Sequence, residues 1–164
     1  MQRPAPEPPG VGQESVWDYP RPPRLERSSE HVIVRLGDRV VADTTRAFRV
    51  LETSHPPTYY VPRDDVTSAL LVPTSRRTWC EWKGQASYAD LVVDATRVPN
   101  ACWWYDTPTE AFTALAGAVA FYPEHVAATV DGEPVRGVPG GFYGSWVTSR
   151  VVGPFKGGPG TEGW

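Results

Sequence analysis

With 164 residues, 40% of them hydrophobic and 21% charged, the chain has the make-up of a single globular domain with a real core. A net charge of −3 leaves no basic footprint for nucleic acid, and no apolar run approaches the length of a membrane span. The two cysteines, Cys80 and Cys102, form no Cys-x-x-Cys pair, so neither a zinc site nor a redox dithiol is expected, and no cofactor is implied.

Pro (18) and Gly (15) run well above average usage, which favours short strands and many turns over long helices. Residues 1–15 are Pro-rich and too poor in apolar side chains to order themselves, so they read as a flexible arm. They also lack the apolar centre of a signal peptide, which makes the cytoplasm the expected location and a structural disulfide unexpected. The β domain spans residues 16–135, with Trp17 and Tyr19 packing onto the sheet at its entry. Residues 31–43 form a hairpin, in which two β-branched runs flank Gly37-Asp38. Residues 47–53 make a third strand and residues 59–61 a short fourth. Pro62 ends it, and Asp64 caps a single helical turn through Val66.

Strands over residues 69–72 and 78–82 come next. A tight turn at Lys83-Gly84 leads into a strand over residues 86–93. In the first arm Thr78, Cys80 and Trp82 share one face and Trp79 and Glu81 the other, so each face carries an indole. Residues 101–105 form a strand. Thr107-Pro-Thr-Glu110 has capping-box spacing with Pro at the first helical position, which predicts a short helix over residues 112–115. A strand over 118–122 and a hairpin turning at Asp131-Gly132 complete the domain. Residues 136–164 form a Gly/Pro-rich extension packed on it and pinned by Phe142, Tyr143 and Trp146. The sum is roughly eight to ten short strands at hairpin spacing, an all-β domain with at most one short helix.

Two blocks carry the chemistry. Residues 49–63 place a carboxylate (Glu52), two phenols (Tyr59, Tyr60) and a guanidinium (Arg63) around a rigid Pro56-Pro57 corner. Residues 78–88 add Trp82, Lys83 and Cys80. Tyr59 and Tyr60 point to opposite faces, one to the core and one to a pocket. Trp82 and Trp104 make two sides of an aromatic cage, with Tyr122 beside them. Arg63 is the counter-charge expected for Glu52, and Lys83 offers an anion contact. Cys80 between its Trp neighbours reads as an inert buried thiol. Of His31, His55 and His125, only His55 is near the candidate site. Packing and solvation explain each of these residues taken singly, so the weight lies on the blocks together.

Several segments resemble one family: Trp17-Asp-Tyr-Pro-Arg-Pro-Pro, Val41-Ala-Asp, Val50-Leu-Glu-Thr-Ser-His-Pro-Pro-Thr-Tyr-Tyr-Val-Pro-Arg63, Thr78-Trp-Cys-Glu-Trp-Lys-Gly84, Trp104-Tyr and Val119-Ala-Phe-Tyr. They are similar to the bacterial and fungal domain of unknown function 427, over residues 16 to 135. The segment from Phe142 to Gly157 looks like an extension of some actinobacterial members. The resemblance implies a β-tent-like fold, in which short antiparallel strands form two small sheets that meet at an angle and leave a cleft. Other β-tent proteins hold zinc on paired Cys-x-x-Cys knuckles, which this chain lacks. The family also carries a nucleotidyltransferase-like label. That chemistry needs carboxylates spaced to hold Mg²⁺, and adjacent Asp64-Asp65 point apart on a strand.

The expected function is binding of a small polar or flat ligand in an aromatic-lined cleft, through Glu52, Tyr60, Arg63, Trp82, Lys83, Trp104 and Tyr122. An alternative is an enzyme in which Glu52 is the acid–base group of the same cleft. A third is a protein-interaction module, with homo-oligomers joined through Trp-rich strands. Neither nucleic acid nor membrane is an expected partner.

Overall fold

The computed structural model describes residues 3–164. In chain order the strands are β1 (Glu14–Ser15), β2 (Arg24–Arg27), β3 (Val32–Leu36), β4 (Arg39–Thr44), β5 (Phe48–Leu51), β6 (Thr58–Tyr60), β7 (Leu71–Cys80), β8 (Gly84–Val93), β9 (Thr96–Tyr105), β10 (Ala120–Phe121), β11 (Ala127–Val130), β12 (Glu133–Pro134) and β13 (Val151–Val152). The fold is all-β, as small antiparallel sheets that do not close into a barrel. One sheet has the order β2-β5-β6, a second β10-β9-β8-β7 and a third β12-β11-β3-β4; β1 and β13 form a parallel pair.

Local sequence explains the hairpins. The β11–β12 turn places Asp131 at φ +48° and Gly132 at φ +83°, the left-handed pair that a two-residue hairpin turn requires. In the turn from β8 into β9, Asp94 alone takes a left-handed conformation, at φ +52°. β7 runs as one strand where two were expected, because a bulge between Pro73 and Arg77 absorbs the proline without ending the strand. The helical turns are short 3-10 segments. The one at Arg63–Asp65 starts from Pro62 with no side-chain cap, so Asp64 does not cap it. The one at Glu110–Leu115 has Thr109 as its N-cap residue, with no cap bond from its side chain. The capping box expected from Thr107 to Glu110 does not form, because the segment begins at Glu110 and leaves Thr107 and Pro108 outside it; the Thr109 hydroxyl donates to the Trp82 carbonyl across the neighbouring turn.

Strand alternation divides the molecule into a core side and a cleft side. On β8 and β9, Ser87 faces Trp104 and Ala89 faces Cys102 on one surface. Ala86 faces Tyr105 and Tyr88 faces Trp103 on the other. The first surface packs with Val32, Val34 and Val41 of the β3–β4 sheet and with Leu91 and Phe121 into the largest core cluster. Each such side chain contributes about 1.5–3 kcal/mol by leaving water. The second surface forms a separate cluster with Phe48, Val50 and Tyr60.

β6 and β10 bring the first two sheets together. Beyond their ends Val61 and Val119 exchange two backbone hydrogen bonds of 2.8 Å each, and the sheets diverge from that bridge. The chain ends share a third cluster, where Val16, Trp17 and Tyr19 meet Leu51, Val147 and Val151. Beside it the half-buried ends of Arg49 and Glu14 pair at 3.0 Å, while a second Arg49 nitrogen reaches Glu26 at 2.7 Å. Trp146 fastens the C-terminal extension: it is 1% exposed, stacks on Tyr59 at 5.1 Å and donates its Nε1 hydrogen to the Phe121 carbonyl. Phe142 does not pin that segment, since 76% of it is exposed.

Candidate functional site

The diverging sheets enclose a cleft of about 1160 Å³. Its first wall is the β5–β6 sheet, presenting Val50, Glu52, His55, Thr58 and Tyr60. Val50 lies opposite Thr58, and Tyr60 sits two residues further along the same strand face. The second wall is β7–β9, which supplies Thr78, Cys80, Tyr88, Trp103 and Tyr105, with Tyr122 following β10. The third wall comes from the C-terminal extension, through residues 137–143 and Lys156. That strap lies close because Gly144 passes directly over Trp103: at φ +63° it adopts a left-handed conformation, and a Cβ there would collide with the indole ring.

The aromatic groups form one continuous surface. Trp103 contacts Tyr122 at 4.6 Å between ring centroids, and Tyr60 lies 6.3 Å from both Trp103 and Tyr105. Tyr88 shares a 2.9 Å hydrogen bond with the Thr78 hydroxyl. Burial pushes the Tyr60, Tyr105 and Tyr122 phenols well above the usual range, so they remain neutral hydrogen-bonding groups. Three cations stand over these rings: Arg76 4.8 Å from the Tyr88 centroid, Lys83 5.8 Å from Tyr105 and Lys156 5.6 Å from Tyr143. Among the described residues Arg76 and Lys83 are not ion-paired, while the Lys156 ammonium donates to the Trp164 main-chain oxygen at 3.3 Å.

The residues singled out in the sequence do not all meet here. Glu52, Tyr60, Trp82, Lys83 and Tyr122 line the cleft; Arg63 and Trp104 do not. Arg63 follows the Val61–Val119 bridge, which carries it to the far side of the junction. There it donates to the Gly117 carbonyl at 2.9 Å and covers the Trp104 ring at 4.6 Å. Trp104 is on the core face of β9 because its neighbour Trp103 occupies the cleft face, and its indole hydrogen goes to Asp106. The cage thus has Trp103 where Trp104 was expected. Tyr60 lies beneath the surface, 1% exposed, as a support for the rings above it. The counter-charge of Glu52 is Arg21, at 3.2 Å, in place of Arg63.

His55 is the polar group that the sequence reading placed beside the site without assigning it to the site. Its ring lines the cleft, 4.8 Å from Tyr143 and edge-on to it. Its Nδ1 donates to the Thr53 carbonyl at 3.0 Å. Burial holds its pKa below the ordinary histidine value, opposing the nearby Glu52 carboxylate. Tyr143 and Lys156 were also missed, because their approach depends on how the C-terminal extension returns over the cleft.

The two thiols differ. Cys102 is in the core, its pKa pushed up to about 12 by burial, whereas Cys80 is half-buried in the cleft wall. Asp65 lies outside the cleft, bound to Arg46 and Thr44. Among the described residues no group of three or more His, Cys, Asp or Glu side chains is placed to hold a metal ion, and no helix is long and apolar enough to cross a membrane.

A family model described as "Domain of unknown function (DUF427)" matches residues 24–132, well over half of the chain. No curated protein matches the sequence. The strap and Lys156 fall beyond the matched region.

Proposed function

We propose, for a chain that belongs to the DUF427 family, that the cleft between its two sheets binds a planar, partly polar small molecule. The observation that supports this most directly is the convergence of Tyr88, Trp103, Tyr105 and Tyr122 on one open cavity of about 1160 Å³. That volume suits a ligand of drug size or slightly larger. Flat rings stacked on such walls gain about 0.5–1.5 kcal/mol each beyond the area they bury. Arg76, Lys83 and Lys156 supply donors at the margin and Glu81 and Glu124 acceptors, so polar substituents would set the orientation.

Calorimetric titration with nitrobenzotriazole, a planar bicyclic heteroaromatic, tests the reading. One saturable site per chain is expected, weakened at least about tenfold by Trp103→Leu and unaffected by Trp104→Leu. Equal affinity in the Trp103→Leu variant would refute it.

A second reading rests on the rim. Trp79 and Phe142 both border the cleft and are 74% and 76% exposed. Exposed aromatics of this size suit a protein partner or a second copy of the chain. Sedimentation velocity across a hundredfold concentration range decides it: a single monomeric species throughout removes self-association.

A further inference from the structure

We infer that His55, with Tyr143 and Lys156, forms a proton-transfer centre at one end of the cleft, acting on a planar ligand whose acidic C–H or N–H is conjugated to an oxygen or nitrogen. This deepens the reading of the cleft as a ligand site and rests on it.

The loop carrying His55 is fixed from several directions. Thr53 N–H bonds the Pro20 carbonyl at 3.2 Å and Ser54 N–H the Val16 carbonyl at 3.0 Å. Lys156 N–H bonds the Ser54 carbonyl at 2.8 Å, and Trp146 N–H bonds the Pro57 carbonyl at 2.9 Å. Ser54 itself is held at φ +72°, a left-handed conformation uncommon for a residue with a side chain. Strained, over-determined backbone of this kind concentrates at functional sites. Pro56 and Pro57 then rigidify the exit.

The Thr53 carbonyl accepts two hydrogen bonds, from Arg21 at 2.9 Å and from His55 Nδ1 at 3.0 Å. The second places the imidazole proton on Nδ1, so Nε2 is the bare acceptor. Among the described residues Nε2 has no hydrogen-bond partner, and the ring faces the cleft. Glu52 is less suited to the same task, because Arg21 Nε engages its carboxylate at 3.2 Å. The backbone bond from Lys156 to Ser54 brings the Lys156 ammonium to the same end of the cleft, 5.6 Å from the Tyr143 ring that abuts His55.

The step balances without a co-reactant. Nε2 takes the proton, and the electron pair of the broken C–H or N–H bond moves into the conjugated ligand and onto its oxygen or nitrogen. The Tyr143 hydroxyl and the Lys156 ammonium offset that charge. The imidazolium keeps its Nδ1 hydrogen on Thr53, with a Glu52 oxygen 3.9 Å away. Returning the proton to another ligand atom completes a tautomerisation.

Nitrobenzisoxazole is the probe: loss of its ring C–H proton to a base breaks the N–O bond and releases a coloured cyanonitrophenolate. Saturable turnover is expected, lowered at least about tenfold in kcat by His55→Gln, within the range of general-base catalysis. Tyr143→Phe and Lys156→Met should lower kcat several-fold with little change in KM. The charged and titratable groups facing His55 are Glu52, Arg21, Lys156 and Tyr143. The rate should therefore rise with pH and level off below the ordinary histidine range, and Glu52→Gln should move that inflection lower. Nitrobenzotriazole binding by each variant shows that its cleft is intact. Saturable turnover unchanged in His55→Gln, or bound probe with no turnover above buffer, overturns the proton-transfer centre while the ligand site stands. Absence of nitrobenzotriazole binding to the wild-type protein overturns both.

Discussion

Trp103 and Trp104 are adjacent on β9 yet lie on opposite sides of the sheet. The Trp103 ring contacts Tyr122 in the cleft, and the Trp104 ring is covered by Arg63 on the core side. Both are more than nine-tenths buried, so truncating either is destabilising. Alanine at either site should cost about 3–5 kcal/mol in urea unfolding. Only the Trp103 change should also remove ligand affinity. Equal effects of both on binding would contradict the division of the two faces.

The strap depends on Trp146 and Gly144. Trp146→Ala should cost about 3–5 kcal/mol, since it removes a fully buried ring and orphans the Phe121 carbonyl. Gly144→Ala should disturb less of the core but lift residues 137–143 from Trp103, because the new methyl has no room. Hydrogen exchange that is faster across the strap and unchanged in β8 would show this.

Arg49 closes a half-buried network, with Glu14 and Glu26 as partners and Tyr19 donating to Glu14. Arg49→Met should cost about 2 kcal/mol, at the lower end for charge-assisted hydrogen bonds because both carboxylates can rehydrate. Burial alone would raise the Glu14 pKa, but hydrogen bonds from Arg49 and Tyr19 lower it overall. The Glu14 contribution to stability is therefore present above its unfolded pKa and lost as pH falls through the lower folded value. Acid unfolding curves of the wild type and Arg49→Met should converge as this contribution disappears.

His55 acts in the same direction as Glu14, in a higher pH window. Its folded pKa is depressed, so the unfolded chain binds the extra proton below about pH 6.5. Stability should rise with pH towards that value, and His55→Gln should flatten the rise. An unchanged slope between pH 5 and 7 in that variant would contradict the burial of a neutral imidazole.

The thiols separate by exposure. In the native state Cys80 should react with a thiol reagent, while Cys102, with its pKa near 12, should react only on unfolding. Two reactive thiols in the native protein would place Cys102 wrongly.

The hairpins were legible because Gly37-Asp38 and Asp131-Gly132 announce their turns locally. The aromatic cleft was legible as a composition and less so as a set of side chains. In the run Cys102-Trp-Trp-Tyr105 every residue is apolar or aromatic, so alternation cannot say which indole faces which way; the pairing of Tyr88 with Trp103 decides it. Arg63 was misplaced because nothing in residues 59–63 shows that the chain turns away after the bridge at Val61. Arg21, Tyr143 and Lys156 reach the Glu52–His55 loop from 31 or more residues away, contacts that only tertiary structure reveals.

The central claim is most directly tested by following the indole N–H resonances of all seven tryptophans during titration with nitrobenzotriazole. A ligand in the cleft should shift Trp79, Trp82 and Trp103 saturably and leave Trp17, Trp104, Trp146 and Trp164 in place. Saturable shifts confined to the second group, or none in the first, would contradict it.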